Sequence, residues 1–220
     1  MPTDFKVQVA EGSKYYKQAQ YDSLERFISY YHQIDETRKL SPTSVLEIGI
    51  GSDVTSSYLK SLDIKVTTCD FDANVGADVV ADVRQIPLPD ESFDLVMAYQ
   101  ILEHIPFEDF DKALAELCRI SKKNVIISLP FRSSYFELVI KMPFIRTLFK
   151  RNFFDFTFRK AIKFPGFQKS GQHYWEIDPG EYKLKIVREK INKHFNILKE
   201  LSPILNKYHY FFVLEKKDHD

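Results

Sequence analysis

Short apolar runs alternate along this chain with stretches of helical periodicity, and that alternation limits the fold more than any other feature. Seven runs read as strands, over 44–50, 65–70, 77–82, 93–100, 124–129, 195–201 and 209–214. A helix is expected over 22–37, where Asp22 and Glu25 make a capping box. Its residues Leu24, Phe27, Ile28 and Tyr31 share one face by their spacing. Further helices are expected over 55–62 and over 108–121, the latter with Phe110, Ala113, Leu114 and Leu117 on one side. Asp178, Pro179, Gly180 and Glu181 read as another helix start, with Asp178 as N-cap, and Leu184, Val187 and Ile191 follow on one face. Strands that alternate with helices pair in parallel and are covered on both sides. Only Ser202 to Tyr208 separates the last two strands, which reads as a hairpin. The expected class is α/β, a three-layer, doubly wound, mostly parallel seven-stranded sheet with an antiparallel edge hairpin.

At 220 residues the chain suits one domain, 1–220, with an N-terminal helical cap over 1–40 and an insert over 131–178. Lys plus Arg and Asp plus Glu both number 31, so bulk charge points to no nucleic-acid partner. Cys69, in an expected core strand, and Cys118, on an apolar helix side, are read as packed thiols. Met1 to Gln20 is polar and Tyr-rich, and no run reaches the ~18 apolar residues of a membrane span. A cytoplasmic location is expected.

In a doubly wound sheet a ligand binds beyond the C-terminal strand ends, where strand order reverses. The first strand leads into Glu47, Gly49 and Gly51, whose glycines allow a tight turn and close approach to a ligand. Asp70 ends the second strand, 19 residues after Gly51, where a carboxylate can accept from a ribose diol. Asp82 ends the third and can accept from an adenine amine. A glycine turn alone has an equally good structural explanation; the order and spacing of the set are more specific.

Val45 to Gly51, Asp70, Asp82 to Asp94 and Leu102 to Ile105 together resemble the successive motifs of class I S-adenosylmethionine-dependent methyltransferases. More narrowly, they resemble the small-molecule-type group, methyltransferase type 11-like. The likeness runs from about residue 44 to 131. It implies S-adenosylmethionine as cofactor, with S-adenosylhomocysteine as product. Gly49 and Gly51 would pass under the methionine part, and Glu47 would order the loop and the donor's amine. Asp70, with Phe71 beside it, would hold the ribose; Asp82 and the Val83 backbone would hold the adenine. Gln100 would lie near the sulfonium. Tyr15 and Tyr16 would close the pocket from the N-terminal side.

Asp53 departs from the small residue many relatives carry there. It caps the next helix or, if aimed at the donor, weakens binding. A nicotinamide cofactor also suits the glycines and Asp70, but Val54 stands where its third glycine would fall. Asp90, Glu91 and Asp94 read as turn and strand-start residues. No metal is expected, since the six His are dispersed without a His-x-x-x-His pair.

The insert holds ten of the 19 Phe, from Phe131 to Phe167, and between residues 131 and 170 nine cations stand against Glu137 and Asp155. Three readings stay open there: a small subdomain with Phe inside and cations outside, a substrate lid, or a membrane-surface patch. The run from Gly171 to Ile177 is either a pocket wall, with Tyr174 and Trp175 on substrate, or a loop anchored over the core by Trp175. His104 and His173 are the candidate bases for a hydroxyl acceptor. The expected activity is O- or N-methylation of a small-molecule, glycan or lipid-linked acceptor. The alternative is a degenerate methyltransferase fold serving as a binding or partner subunit.

Overall fold

Strand β1 (Ser44–Ile48) lies at the centre of the sheet, pairing in parallel with β2 (Lys65–Asp70) on one side and β4 (Phe93–Tyr99) on the other. The computed structural model describes Tyr16, residues 21–160 and residues 173–217. With β3 (Val79–Val80), β5 (Ser121–Pro130), β8 (Phe195–Leu201) and β9 (His209–Lys216), the sheet has seven strands in the order β3-β2-β1-β4-β5-β9-β8. Strands β1 to β5 are parallel; β9 runs antiparallel to both β5 and β8. The expected class and edge hairpin are what the structure shows.

Period-two alternation sorts the central strands between two cores. Leu46, Ile48, Val96, Ala98, Val125 and Ile127 face one side. There they meet Phe110, Ala113, Leu114 and Leu117 of helix α3 (Phe110–Ile120) and Val187 and Ile191 of α5 (Leu184–Ile191). Val45, Leu95, Met97, Ile126 and Phe211 face the other, under α1 (Leu24–Leu40) and Leu59 of α2 (Val54–Lys60). Cys69 and Cys118 are buried, and burial pushes the Cys69 thiol up to about 12, so it packs as a neutral group.

Four expectations are corrected. Helix α1 starts from Ser23, whose hydroxyl accepts from Arg26 N, and not from Asp22. Its buried face is Ser29, Tyr30, Gln33, Glu36 and Thr37, while Leu24, Phe27 and Tyr31 are exposed. Strand β3 is only two residues long, because the Asp78 carboxylate accepts the Thr68 N–H that a longer strand would have used (2.8 Å). Asp178 does not cap α5, which begins after Lys183; Asp178 accepts from Gly180 N (2.7 Å) and pairs with Arg132 (3.0 Å).

The fourth correction concerns the insert, whose described part is an antiparallel pair, β6 (Ser134–Ile140) and β7 (Phe154–Lys160), joined through α4 (Ile145–Phe149). Its Phe residues are not a core: Phe136, Phe144, Phe149, Phe153, Phe156 and Phe158 are exposed. Phe164, Phe167 and the rest of 161–172 lie outside the described residues, as does Tyr15. Among the described residues, no helix is long and apolar enough to cross a membrane.

Candidate functional site

Strand order reverses at β1, and a cleft opens beyond the C-terminal ends of β1, β2 and β4. It encloses about 1080 Å³ including its mouth, ample for a nucleoside-sized ligand. Glu47, Gly49, Gly51, Asp70, Phe71, Val83, Gln100, His104 and Tyr16 all line it, so nine residues singled out from the sequence converge on one space.

Its floor is the turn after β1. Gly49 N donates to Cys69 O (2.8 Å), and Gly49 has φ +81°, a conformation that side chains resist. A Cβ there would also lie 2.0 Å from Ile101 Cδ1. Gly51, at φ +53°, faces Tyr16 and Tyr21 at ordinary contact distance. The turn is locked to β2 by Asp70, whose Oδ2 accepts from Ile50 N (3.1 Å) and whose Oδ1 accepts from Asp72 N (2.9 Å). A carboxylate can accept about four hydrogen bonds, so Asp70 keeps capacity for a ligand. Burial raises the Asp70 pKa, and the backbone N–H groups of Asp72, Ile50 and Phe71 oppose that rise.

Glu47 is buried at the head of the cleft, and its Oε2 has no hydrogen-bond partner among the described residues. Burial pushes its pKa up to about 8, with a bond from Ser56 pulling the other way and the Asp53 charge adding to the rise. Asp53 sits at the N-cap position of α2, but its carboxylate accepts from the hydroxyls of Ser56 and Ser57 and from no helix N–H. It does not line the cleft, so the expectation that it opposes the donor directly has no support in the geometry.

Asp82 is the expected residue the structure places elsewhere. Arg84 donates to it from Nε (3.0 Å) and Nη2 (2.7 Å), and Arg84 N adds a third bond (2.8 Å). The carboxylate is taken up within its own turn, and its neighbours Ala81 and Val83 line the cleft instead. Gln100, at φ +55°, donates from Nε2 to Ser128 Oγ (3.2 Å) at the end of β5.

The second wall was not legible as a site. Ser29, Tyr30 and Gln33 of α1 and His209 of β9 line the cleft. Tyr30 Oη bonds Ser52 Oγ (2.6 Å), Thr55 Oγ1 donates to Gln33 Oε1 (2.5 Å), and Ser29 Oγ bonds His209 Nδ1 (2.7 Å). Burial pulls the His209 pKa down to about 3, so its ring is neutral. Arg26 brings the one Lys or Arg among the described lining residues, with its guanidinium over the Tyr21 ring. The sequence signal was a polar stripe at helical spacing on the side opposite the apolar residues.

At the far end, the His104 ring meets the His173 ring edge-on (4.9 Å). His173 Nδ1 bonds Glu176 Oε1 (2.8 Å), which also accepts from Tyr208 (2.9 Å). Glu103 beside them is fully buried, with neither oxygen hydrogen-bonded to a described residue, and burial pushes it up to about 7 while His173 pulls it down. Ligand atoms of Glu103, His104 and His173 lie within 4.8 Å of one another, a grouping that sequence spacing hid because His173 is about seventy residues on. Tyr174 and Trp175 do not line the cleft. Trp175 is fully buried against Phe107 and Phe110, and its indole N–H donates to Ile105 O (3.1 Å), so the anchored-loop reading holds and the pocket-wall one is corrected. Trp175→Phe should cost about 1–2 kcal/mol by orphaning that carbonyl and leaving a void, read by chemical denaturation, with the cleft's ligand affinity unchanged.

A reversed-order parallel sheet with an antiparallel β9 and a glycine turn at the reversal defines a Rossmann-like class I methyltransferase fold. The family described as "Methyltransferase domain" matches residues 46–129. Over that stretch the sequence is similar to a methyltransferase domain. Solved structures agree in fold. The N-methyltransferase NodS of Bradyrhizobium japonicum, in complex with S-adenosylhomocysteine, is 9% identical with TM-score 0.60, the match covering 93% of this chain and 96% of that one. A SAM dependent methyltransferase from Aquifex aeolicus is 14% identical, with TM-score 0.59 and coverage of 93% and 98%. The 1,6-didemethyltoxoflavin-N1-methyltransferase of Burkholderia thailandensis is 13% identical, with TM-score 0.58 and coverage of 94% and 84%. No curated protein matches this sequence closely enough to count as a relative.

Proposed function

We propose that S-adenosylmethionine lies in this cleft with its ribose on Asp70, and that its methyl group passes to an acceptor arriving on the His104 side. The observation that carries the reading is the Asp70 carboxylate, aimed into the cleft and pinned there by backbone N–H groups. Phe71 and Val83 bracket the adenine, with Asp82 locked behind them by Arg84. The glycine turn runs under the methionine part. Arg26 meets the donor's carboxylate, and Glu47 its ammonium. Tyr16 and Tyr30 close the mouth.

The bound sulfonium supplies an already activated methyl group, so the chain's task is alignment and exclusion of water. Gln100, tied to Ser128, fixes the end of β4 beside the reacting centre. For a hydroxyl acceptor, His104 takes the proton, and His173, oriented by Glu176, supports the charge that forms. For an amine, the same ring only orients the lone pair. The acceptor is a small molecule, a glycan or a lipid-linked compound.

Calorimetric titration with S-adenosylhomocysteine tests the reading, with one site per chain expected. Arg26→Ala should weaken it about tenfold, the loss of one charge-assisted bond. No binding to the wild type would overturn it.

A further inference from the structure

The hairpin of the insert has two unlike faces. Opposed residues of an antiparallel pair project to the same side, and successive residues alternate. The register therefore places the pairs Phe136 with Phe158, Leu138 with Phe156 and Ile140 with Phe154 on one face. Tyr135 with Arg159, Glu137 with Thr157 and Val139 with Asp155 share the other. The second face is anchored to the body of the protein through Glu137 and Arg159, while Tyr135 and Val139 on it stay half exposed. Glu137 pairs with the buried Lys207 (2.9 Å) and accepts from Leu205 N (3.0 Å). Arg159 donates to Ser202 Oγ (2.7 Å) and Lys207 O (3.0 Å).

The first face is bare, and Phe136 and Phe158 are 62% and 66% exposed. It continues into the tip, where Phe144 (76%) and Leu148 (73%) stand out with Met142 and Phe149. So large a contiguous apolar patch is a binding surface. Four cations, Lys141, Arg146, Lys150 and Arg151, surround this tip, all exposed and none in an ion pair with a described residue. From Leu138 to Phe154 there is no Asp or Glu.

We propose that this hairpin is a membrane-docking element that inserts Phe144, Leu148 and their neighbours among the acyl chains of an anionic lipid surface while the four cations hold its headgroups. Apolar wedges within a ring of cations match the layering of such a surface, acyl region beneath and negative headgroups around. A second copy of this chain fits worse, because a twofold contact would set the two rings of cations against each other. The hairpin is joined to the cleft wall through its packing face: Leu205 N donates to Glu137, and the adjoining Asn206 donates to Glu25 O of α1, the helix that walls the cleft (2.7 Å). Docking therefore presents the cleft to an acceptor carried on lipid; that last step rests on the methyltransfer reading, while docking itself does not.

Co-sedimentation of the full chain with vesicles tests it. The wild type is expected to pellet with phosphatidylcholine–phosphatidylglycerol vesicles, to be released by high salt, and to stay in solution with phosphatidylcholine alone. Each Lys or Arg near such a surface contributes about fivefold, so replacing all four tip cations with Ala should weaken partition by at least ~100-fold. Phe144→Ser with Leu148→Ser should abolish it. Both variants should keep the wild-type affinity for S-adenosylhomocysteine, which separates this claim from the donor reading and shows that they fold. Wild-type protein that ignores anionic vesicles, or variants that pellet as it does, would overturn the proposal. So would a wild-type dimer that Phe144→Ser dissociates without any vesicle binding.

Discussion

Asp70→Ala should lower the affinity for S-adenosylhomocysteine by at least ~100-fold, since two hydrogen bonds to a charged acceptor contribute about 1.5 kcal/mol each at the low end. The effect is large because the Asp70 oxygens are aimed by Ile50 N and Asp72 N, and a water in the gap would lack that orientation. Asp70→Asn keeps one acceptor oxygen and should fall between. Calorimetry decides, with unfolding followed in parallel, since the same change releases the glycine turn from β2. Equal affinities for wild type and Asp70→Ala would remove the ribose from this residue.

Glu47 provides the second large effect, and it is one of pH. In the free protein its pKa stands near 8, so at pH 7 the carboxyl is mostly protonated. If the donor's ammonium settles beside it, the bound form is ionised, and binding at pH 7 releases nearly one proton. Affinity should then rise about tenfold per pH unit from 6 towards 8 and level off above. For the empty protein the sign is opposite. A carboxyl whose folded pKa exceeds its ordinary 4.5 stabilises the fold below that value, and the contribution drains away as pH rises towards 8, at most about 1.4 kcal/mol per unit. Titrations in two buffers of different ionisation enthalpy at pH 7 read the proton directly. Glu47→Gln should show neither the release nor the slope. A wild-type affinity flat between pH 6 and 8 would sink the pairing.

The central sheet could be read because β1, β4 and the later part of β5 are buried on both faces, which leaves mostly apolar residues in them, and because glycines and carboxylates fall at the strand ends. The brevity of the stretch from Ser202 to Tyr208 likewise marked β8 and β9 as a hairpin, though not which of them pairs with β5. Helix α1 could not be read the same way. Periodicity shows that a helix has two faces, but the side that turns inward depends on what it covers, and α1 covers a polar cleft. Ser29, Tyr30 and Gln33 therefore face in and Leu24, Phe27 and Tyr31 face out.

Asp178 and Asp82 were misread for one common reason. A carboxylate near a turn suits a cap or a ligand equally well until a distant or local cation claims it, here Arg132 and Arg84. The insert stayed open for a different reason. Its Phe content and charge left a core, a lid and a membrane-surface patch all open, and only the pairing of β6 with β7 separates its two faces. The group of Glu103, His104 and His173 is assembled by folding alone, since nothing in local spacing links residues so far apart.

A crystal structure of the protein with S-adenosylhomocysteine would test the account most directly. The account requires the ribose hydroxyls within hydrogen-bond distance of both Asp70 oxygens, the adenine between Phe71 and Val83, and the sulfur turned towards His104. A ligand bound elsewhere, or in this cleft with its nucleoside away from Asp70, would contradict it.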